Sequence, residues 1–320
     1  MEKAINDFPK QFEYDPIVEN AAALQTADAF LVGAMGGSAH SAALLKLHNP
    51  ELDIEIHRGY GLPKLAKNNL KRRLAMAISF SGNTEEVIDF YRAAQKAGLK
   101  RAVISKGGAL QKLARTDRVP FVEIPETHIQ PRLGLGFTLR AQMKIMSDKT
   151  GLEETAPLAA MLDNHHAEAE GRRLAKALQE GVPIIYTSQA NGYLGYIWKI
   201  KLNESAKIPS YHDVFSELNH NEMTGYDVIP RTQALSQNIH FVFLRDNNDD
   251  PRIQKRMDIT KKLYEKRGLK VLESQLAGKS MWERIFQSLL AADWLAYALA
   301  SYYGTEPEQV PMVEEFKKLI

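Results

Sequence analysis

The sequence predicts an α/β protein built as two subdomains, each a mainly parallel sheet flanked by helices. Three observations carry that expectation. Short apolar runs end in glycine- and serine-rich loops that lead straight into helical stretches, this strand, loop, helix order recurs through the first half, and it starts again after residue 180. Runs that are apolar throughout, without polar alternation, belong to strands covered on both faces. The chain has 320 residues, and at roughly 150 residues per domain it has room for two cores. We divide it at 1–150 and 151–320.

The first strand is expected at residues 29–32, followed by Gly33-Ala34-Met35-Gly36-Gly37-Ser38 and a helix over 39–47. The second is 74–78, with the loop Ser79-Phe80-Ser81-Gly82-Asn83-Thr84 and a helix over 85–97 that Gly98 stops. Residues 101–105, Gly107-Gly108 and a short helix to Arg115 repeat the unit, and 119–124 is a further strand. A helix over 136–147 follows. Residues 155–179 read as one long helix, capped by Thr155 and ended by Gly181, where the chain crosses between subdomains. The second half gives strands at 183–187, 239–244 and 269–272, and helices at 191–206 and after Asp249-Asp250-Pro251. Trp282, Ile285, Phe286, Leu289 and Leu290 mark the apolar stripe of a last long helix running to about Tyr303.

Composition narrows the function. Hydrophobic residues are 44% and charged residues 25% of the chain, which excludes global disorder and a membrane-embedded fold. Lys and Arg total 41 against 39 acids, so no excess charge marks a nucleic-acid binder, though a local basic patch could serve a small anion. The absence of cysteine removes disulfides, thiolate catalysis, iron–sulfur clusters and cysteine zinc sites. The first sixteen residues lack an apolar signal core, and we expect a cytoplasmic protein.

Two loops can do chemistry. Gly36, Gly37 and Ser38 open one helix, and Ser79, Ser81 and Thr84 lead into another. A helix start offers unpaired N–H groups and the positive end of its dipole, glycine admits close approach, and hydroxyls donate to anionic oxygens. Either loop alone could be a capped helix start, but two at successive strand ends point to a phosphate monoester. Neither carries the Gly-Lys-Ser/Thr ending of a nucleotide loop or the spacing of a dinucleotide fingerprint.

These loops, with Pro131-Arg132, resemble the sugar isomerase (SIS) domain of the bifunctional phosphoglucose/phosphomannose isomerases. Leu202-Asn203-Glu204-Ser205-Ala206-Lys207 resembles the segment with that family's catalytic glutamate, and Glu217-Leu218-Asn219-His220-Asn221-Glu222 resembles its histidine segment. Residues 307–319 resemble its terminal segment, with Lys317 as the active-site lysine. The resemblance implies a hexose 6-phosphate substrate interconverted between aldose and ketose through a cis-enediol, without cofactor or metal. It also implies a homodimer whose histidine segment enters the neighbouring subunit's site. Each step asks for a particular group. A carboxylate suits proton removal from carbon, the part implied for Glu204. Imidazole suits ring opening near neutrality, for His220, and a guanidinium stabilises the enediolate without losing its proton, for Arg132. Lys317 would assist at the ring oxygen. Val310 departs from the archetypal members, where a threonine linked to acceptance of the mannose epimer stands, so glucose 6-phosphate is expected to be the better substrate.

The competing chemistry is a metal-dependent hydride shift. Its best ligand set is His165-His166 with Glu168 and Glu170, which on so charged a helix reads as a solvated face. Asp246-Asn247-Asn248-Asp249-Asp250 lacks the glycine and terminal glutamate of a calcium loop and reads as a helix cap. Two other functions use the same loops: a non-catalytic sugar-phosphate sensor, and an isomerase or deglycase of amino-sugar phosphates.

Overall fold

A computed structural model describes residues 1–319. The chain forms two compact units, residues 6–161 and residues 1–5 together with the chain from 162 onward. The change between them falls after Met161 rather than at residue 150 because two short helices, Lys149–Thr155 and Leu158–Met161, stay with the first unit. Arg140, itself buried, donates to the Leu152 carbonyl and to Thr155 Oγ1, both at 3.0 Å, and so fastens the first of these helices.

The first unit holds a six-stranded sheet in the order β1-β6-β5-β4-β2-β3. Its strands are β1 (Val18–Glu19), β2 (Ala29–Ala34), β3 (Asp53–His57), β4 (Leu74–Ile78), β5 (Lys100–Ser105) and β6 (Phe121–Glu123). Every pairing is parallel except that of β1 with β6. Every residue of β2 and β4 is buried, as expected for central strands. The helix Glu85–Lys96 places Val87, Phe90, Tyr91 and Ala94 on the sheet. A Cβ on Gly33 would come within 2.2 Å of the Phe90 ring, so glycine sets how closely this helix lies on β2. Burying a ring such as Phe90 stabilises the unit by about 1.5–3 kcal/mol.

The second unit has a four-stranded, wholly parallel sheet in the order β10-β9-β7-β8. Its strands are β7 (Val182–Ser188), β8 (Tyr211–Phe215), β9 (Ile239–Arg245) and β10 (Lys270–Gln275). The expected helix over 155–179 is not one helix. Thr155 ends the helix Lys149–Thr155, its hydroxyl donating back to the Gly151 carbonyl at 2.7 Å, and Pro157 cannot continue a helix interior. A new helix, Asn164–Leu178, starts at Asp163, whose carboxylate accepts the His166 N–H at 2.9 Å. The helix expected over 191–206 is helical only over Gly192–Lys201 and continues as one turn of π-helix, Leu202–Ala206. The long helix Met281–Tyr303 buries Trp282, Trp294 and its predicted stripe. Trp198 Nε1 donates to Ser288 Oγ at 3.0 Å, and Lys201 Nζ donates to Asp293 Oδ1 at 2.6 Å, tying the helix Gly192–Lys201 to this long helix. Among the described residues no helix is long and apolar enough to cross a membrane.

Candidate active site

In the first unit the parallel register brings Gly33 beside Ala77 and Ala34 beside Ile78, so β2 and β4 release their loops side by side. The two loops are bonded together. Ser38 Oγ accepts the Phe80 N–H at 3.0 Å, while Ser79 Oγ accepts the Gly82 N–H at 3.1 Å and lies 2.7 Å from Thr84 Oγ1. Ser81 Oγ accepts the Asn83 N–H at 3.2 Å. Gly82 is required twice over: its φ is +71°, and a Cβ would stand 1.8 Å from the Gly107 carbonyl oxygen.

Arg132 reaches the same end of the sheet. It lies in the short 3₁₀ turn Pro131–Leu133 and is 4% exposed. A Cβ on Gly37 would be 3.2 Å from the Arg132 backbone nitrogen, and one on Gly134 would meet the Phe80 ring at 2.4 Å. The structure thus brings together Gly36, Gly37, Ser38, Ser79, Ser81, Thr84 and Arg132. Gly36 and Ser81 are exposed, Gly37 and Thr84 half-buried, and Ser38, Ser79 and Arg132 buried. Hydroxyls and close-approach glycines, the groups that suit a small anion, stand together at these strand ends, with the backbone of Arg132 beside them.

In the second unit Glu204 is half-buried within the π turn, between the buried pairs Lys201-Leu202 and Ser205-Ala206. The turn ends at Lys207 in the left-handed conformation, φ +60°, where Lys207 Nζ returns to donate to the Glu204 carbonyl. His220 is exposed at the end of the turn Glu217–His220, which Leu218 anchors by complete burial. Asn219 Nδ2 also donates to Thr260 Oγ1 at 2.9 Å, tying that turn to the helix Pro251–Lys266. Val310 is half-buried just before the terminal helix Pro311–Leu319, and its carbonyl accepts the Glu314 N–H at 3.0 Å. Lys317 lies on that helix, exposed and paired with Glu314 one turn back at 2.7 Å.

Sequence reasoning missed two groups around these segments. One is the Lys201–Asp293 ion pair, whose side chains are only 3% and 2% exposed. Its signal was a charge inside an apolar stripe, in Trp198-Lys199-Ile200-Lys201-Leu202 and again in Ala291-Ala292-Asp293-Trp294. The other is Glu222, which accepts a hydrogen bond from the buried Tyr186 hydroxyl. In the region considered for a metal, Glu168 pairs with Arg172 at 2.8 Å, and Glu170 pairs with Arg173 at 2.7 Å and accepts from Ser274 Oγ at 2.8 Å. Among the described residues no group of three or more histidine, aspartate or glutamate side chains gathers as a metal site.

The loops of the second sheet differ in kind from those of the first. Beyond β7 and β9, Asn191 Nδ2 lies 3.4 Å from Asp246 Oδ2 and 3.3 Å from Asp249 Oδ1. Burial pushes the Asp249 carboxyl above its ordinary range.

The chain is a two-unit α/β molecule in which adjacent parallel strands of the first unit end in hydroxyl loops. It superposes on the C-terminal domain of glucosamine-fructose-6-phosphate aminotransferase from Francisella tularensis with a TM-score of 0.72 at 15% identity, covering 96% of this chain and 97% of that one. Residues 167–320 match the family model of the bacterial phospho-glucose isomerase C-terminal SIS domain. The bifunctional phosphoglucose/phosphomannose isomerase of Caldicellulosiruptor bescii is 32% identical, with 91% of this chain and 88% of that protein aligned. The protein of the same name from Thermoplasma acidophilum is 30% identical over 91% of this chain and 89% of its own length. The chain belongs to the bifunctional phosphoglucose/phosphomannose isomerase family and is a sugar-phosphate isomerase.

Proposed function

We propose that the protein interconverts glucose 6-phosphate, and more slowly mannose 6-phosphate, with fructose 6-phosphate by metal-independent proton transfer through a cis-enediol. The observation that carries this reading is the cluster of Ser38, Ser79, Ser81 and Thr84 with Gly36 and Gly37 beside the buried Arg132, which suits a phosphate monoester. The names of the relatives supply the hexose. In this reading Glu204 removes the proton from C2 and returns it to C1, and His220 moves the proton between the anomeric hydroxyl and the ring oxygen. Arg132 stabilises the enediolate and Lys317 assists ring opening. The test is turnover of glucose, mannose and glucosamine 6-phosphates by protein dialysed against EDTA. Undiminished aldose–ketose conversion is expected. Loss of activity that zinc or manganese restores would replace the enediol with a hydride shift.

Both epimers give the same planar C2 in the enediol, so a single base can serve both only if the substrate turns about C2–C3. Valine has threonine's shape without its hydroxyl, so space for that turn remains while a bond worth about 1 kcal/mol is missing. Val310→Thr is expected to narrow the gap in kcat/KM between glucose and mannose 6-phosphates by about fivefold. A gap left unmoved would remove Val310 from specificity.

We further propose a homodimer in which His220 serves the partner's site. Mixing Glu204→Ala with His220→Ala chains would then give hybrid dimers with one intact site. Activity should recover to about a quarter of wild type at equal proportions, since half the dimers are hybrids. No recovery after verified subunit exchange would assign both residues to one chain's site.

A further inference from the structure

His220 is exposed, yet the chain on each side of it is tied down. On one side Leu218 is completely buried and Asn219 bonds to Thr260. On the other, Glu222 turns inward, where its carboxyl accepts a hydrogen bond from Tyr186 of β7 and comes near the carboxyl of Asp213 of β8, the register partner of Tyr186. Two carboxyl groups held close to one another away from water favour sharing one proton, which one donates and the other accepts. We propose that Glu222 is a positioning residue: its proton, donated to Asp213 while Tyr186 donates to Glu222, fastens the histidine segment to the sheet. The inference rests on the role proposed above for His220.

The surroundings suit a neutral acid. Tyr186 is fully buried, its ring stacks on Phe243 with centroids 5.5 Å apart, and its hydroxyl lies 3.5 Å from that of Tyr264. Tyr226, in the turn that Glu222 begins, packs edge-on against Phe241 at 4.9 Å and Tyr264 at 5.8 Å. The titratable groups around Glu222 are Asp213 from β8, Tyr186 from β7, Tyr264 from the helix Pro251–Lys266 and Tyr226 from its own turn. Tyr211 acts on Tyr226, Asp227 after the turn pairs with Arg267 at 2.7 Å, and Arg256 of the helix Pro251–Lys266 donates to Asn219 at 3.4 Å. His212, adjacent on β8, faces the other way, toward Thr187 and Gly195.

Burial, and then the Asp213 carboxyl, push Glu222 from its ordinary 4.5 up to about 7. In the window between those values the folded chain keeps a proton that the unfolded chain has lost. The folded state binds more protons there, so the attachment weakens as pH rises and is gone above about 7. Beyond that point two adjacent carboxylates repel, and the segment carrying His220 comes away.

Glu222→Gln supplies a permanent donor for Asp213 and keeps the acceptor for Tyr186. Wild-type kcat is expected to fall about tenfold between pH 7.5 and 8.5, the slope of a single lost proton, while the glutamine variant stays level over that range. Amide exchange of residues 217–226, corrected for the intrinsic effect of pH, should show protection falling between pH 6.5 and 8.5 in wild type and holding in the variant. Parallel pH profiles, or wild-type protection unchanged across that range, would overturn the proposal. Exchange is read without turnover, so failure of the histidine assignment leaves this measurement standing, and unchanged protection defeats the positioning role alone.

Discussion

Replacing Glu204 by glutamine is expected to lower kcat by about two to four powers of ten, the usual contribution of a general base, while KM for hexose 6-phosphates changes by less than about threefold. Glutamine fills the same volume in the π turn, so the half-buried position keeps its packing and loses only the ability to accept a proton. The hydroxyl loops proposed to hold the phosphate belong to the other unit and are untouched. Steady-state kinetics in both directions, with circular dichroism to check folding, measure the effect. Turnover within a factor of ten of wild type would exclude Glu204 as the base.

Asp293→Ala should lower the free energy of unfolding by about 3–5 kcal/mol, because it leaves the Lys201 ammonium buried without its partner. Both side chains are almost wholly buried, and they join the helix Gly192–Lys201 to the long helix Met281–Tyr303. Glu204 follows Lys201 by three residues, so kcat is expected to fall with stability. The double variant Lys201→Met, Asp293→Leu removes both charges and should recover most of the stability, since a packed apolar pair often matches a buried ion pair. Denaturant unfolding monitored by tryptophan fluorescence reads both, Trp198 and Trp294 lying beside the pair in sequence. A loss below about 1 kcal/mol for Asp293→Ala would mean that the lysine finds water or another acceptor.

Central strands were legible from sequence, and of the edge strands only β10 was, at 269–272. β2, β4, β7 and β9 are apolar runs that could only be buried. β3, Asp-Ile-Glu-Ile-His, ends its sheet and carries the period-two alternation of a half-buried strand, a readable signal, whereas β8, Tyr-His-Asp-Val-Phe, ends its own sheet with no such period. Pro157 was a readable break in the helix expected over 155–179, whereas left-handed Glu180, φ +62°, in place of Gly181 was not readable. The loop residues could be read because glycines and hydroxyls at strand ends have a local meaning. Glu204 and His220 have none: a helical glutamate and an exposed histidine look ordinary, and only resemblance singled them out. The Glu222, Asp213 and Tyr186 contact joins positions far apart in sequence, and no local pattern announces it.

The unlike loops of the two sheets give the molecule a polarity. Both units release strands into helix starts, the usual setting for an anion, but one set offers hydroxyls and close-approach glycines while the other offers Asp249 and Asp246, the latter paired with Arg284 at 3.5 Å. A phosphate oxygen about 4 Å from one of those carboxylates would be opposed by about 4 kcal/mol at the effective dielectric of a protein surface, roughly a thousandfold in occupancy. On the function proposed above, a repeated architecture therefore carries a single phosphate address.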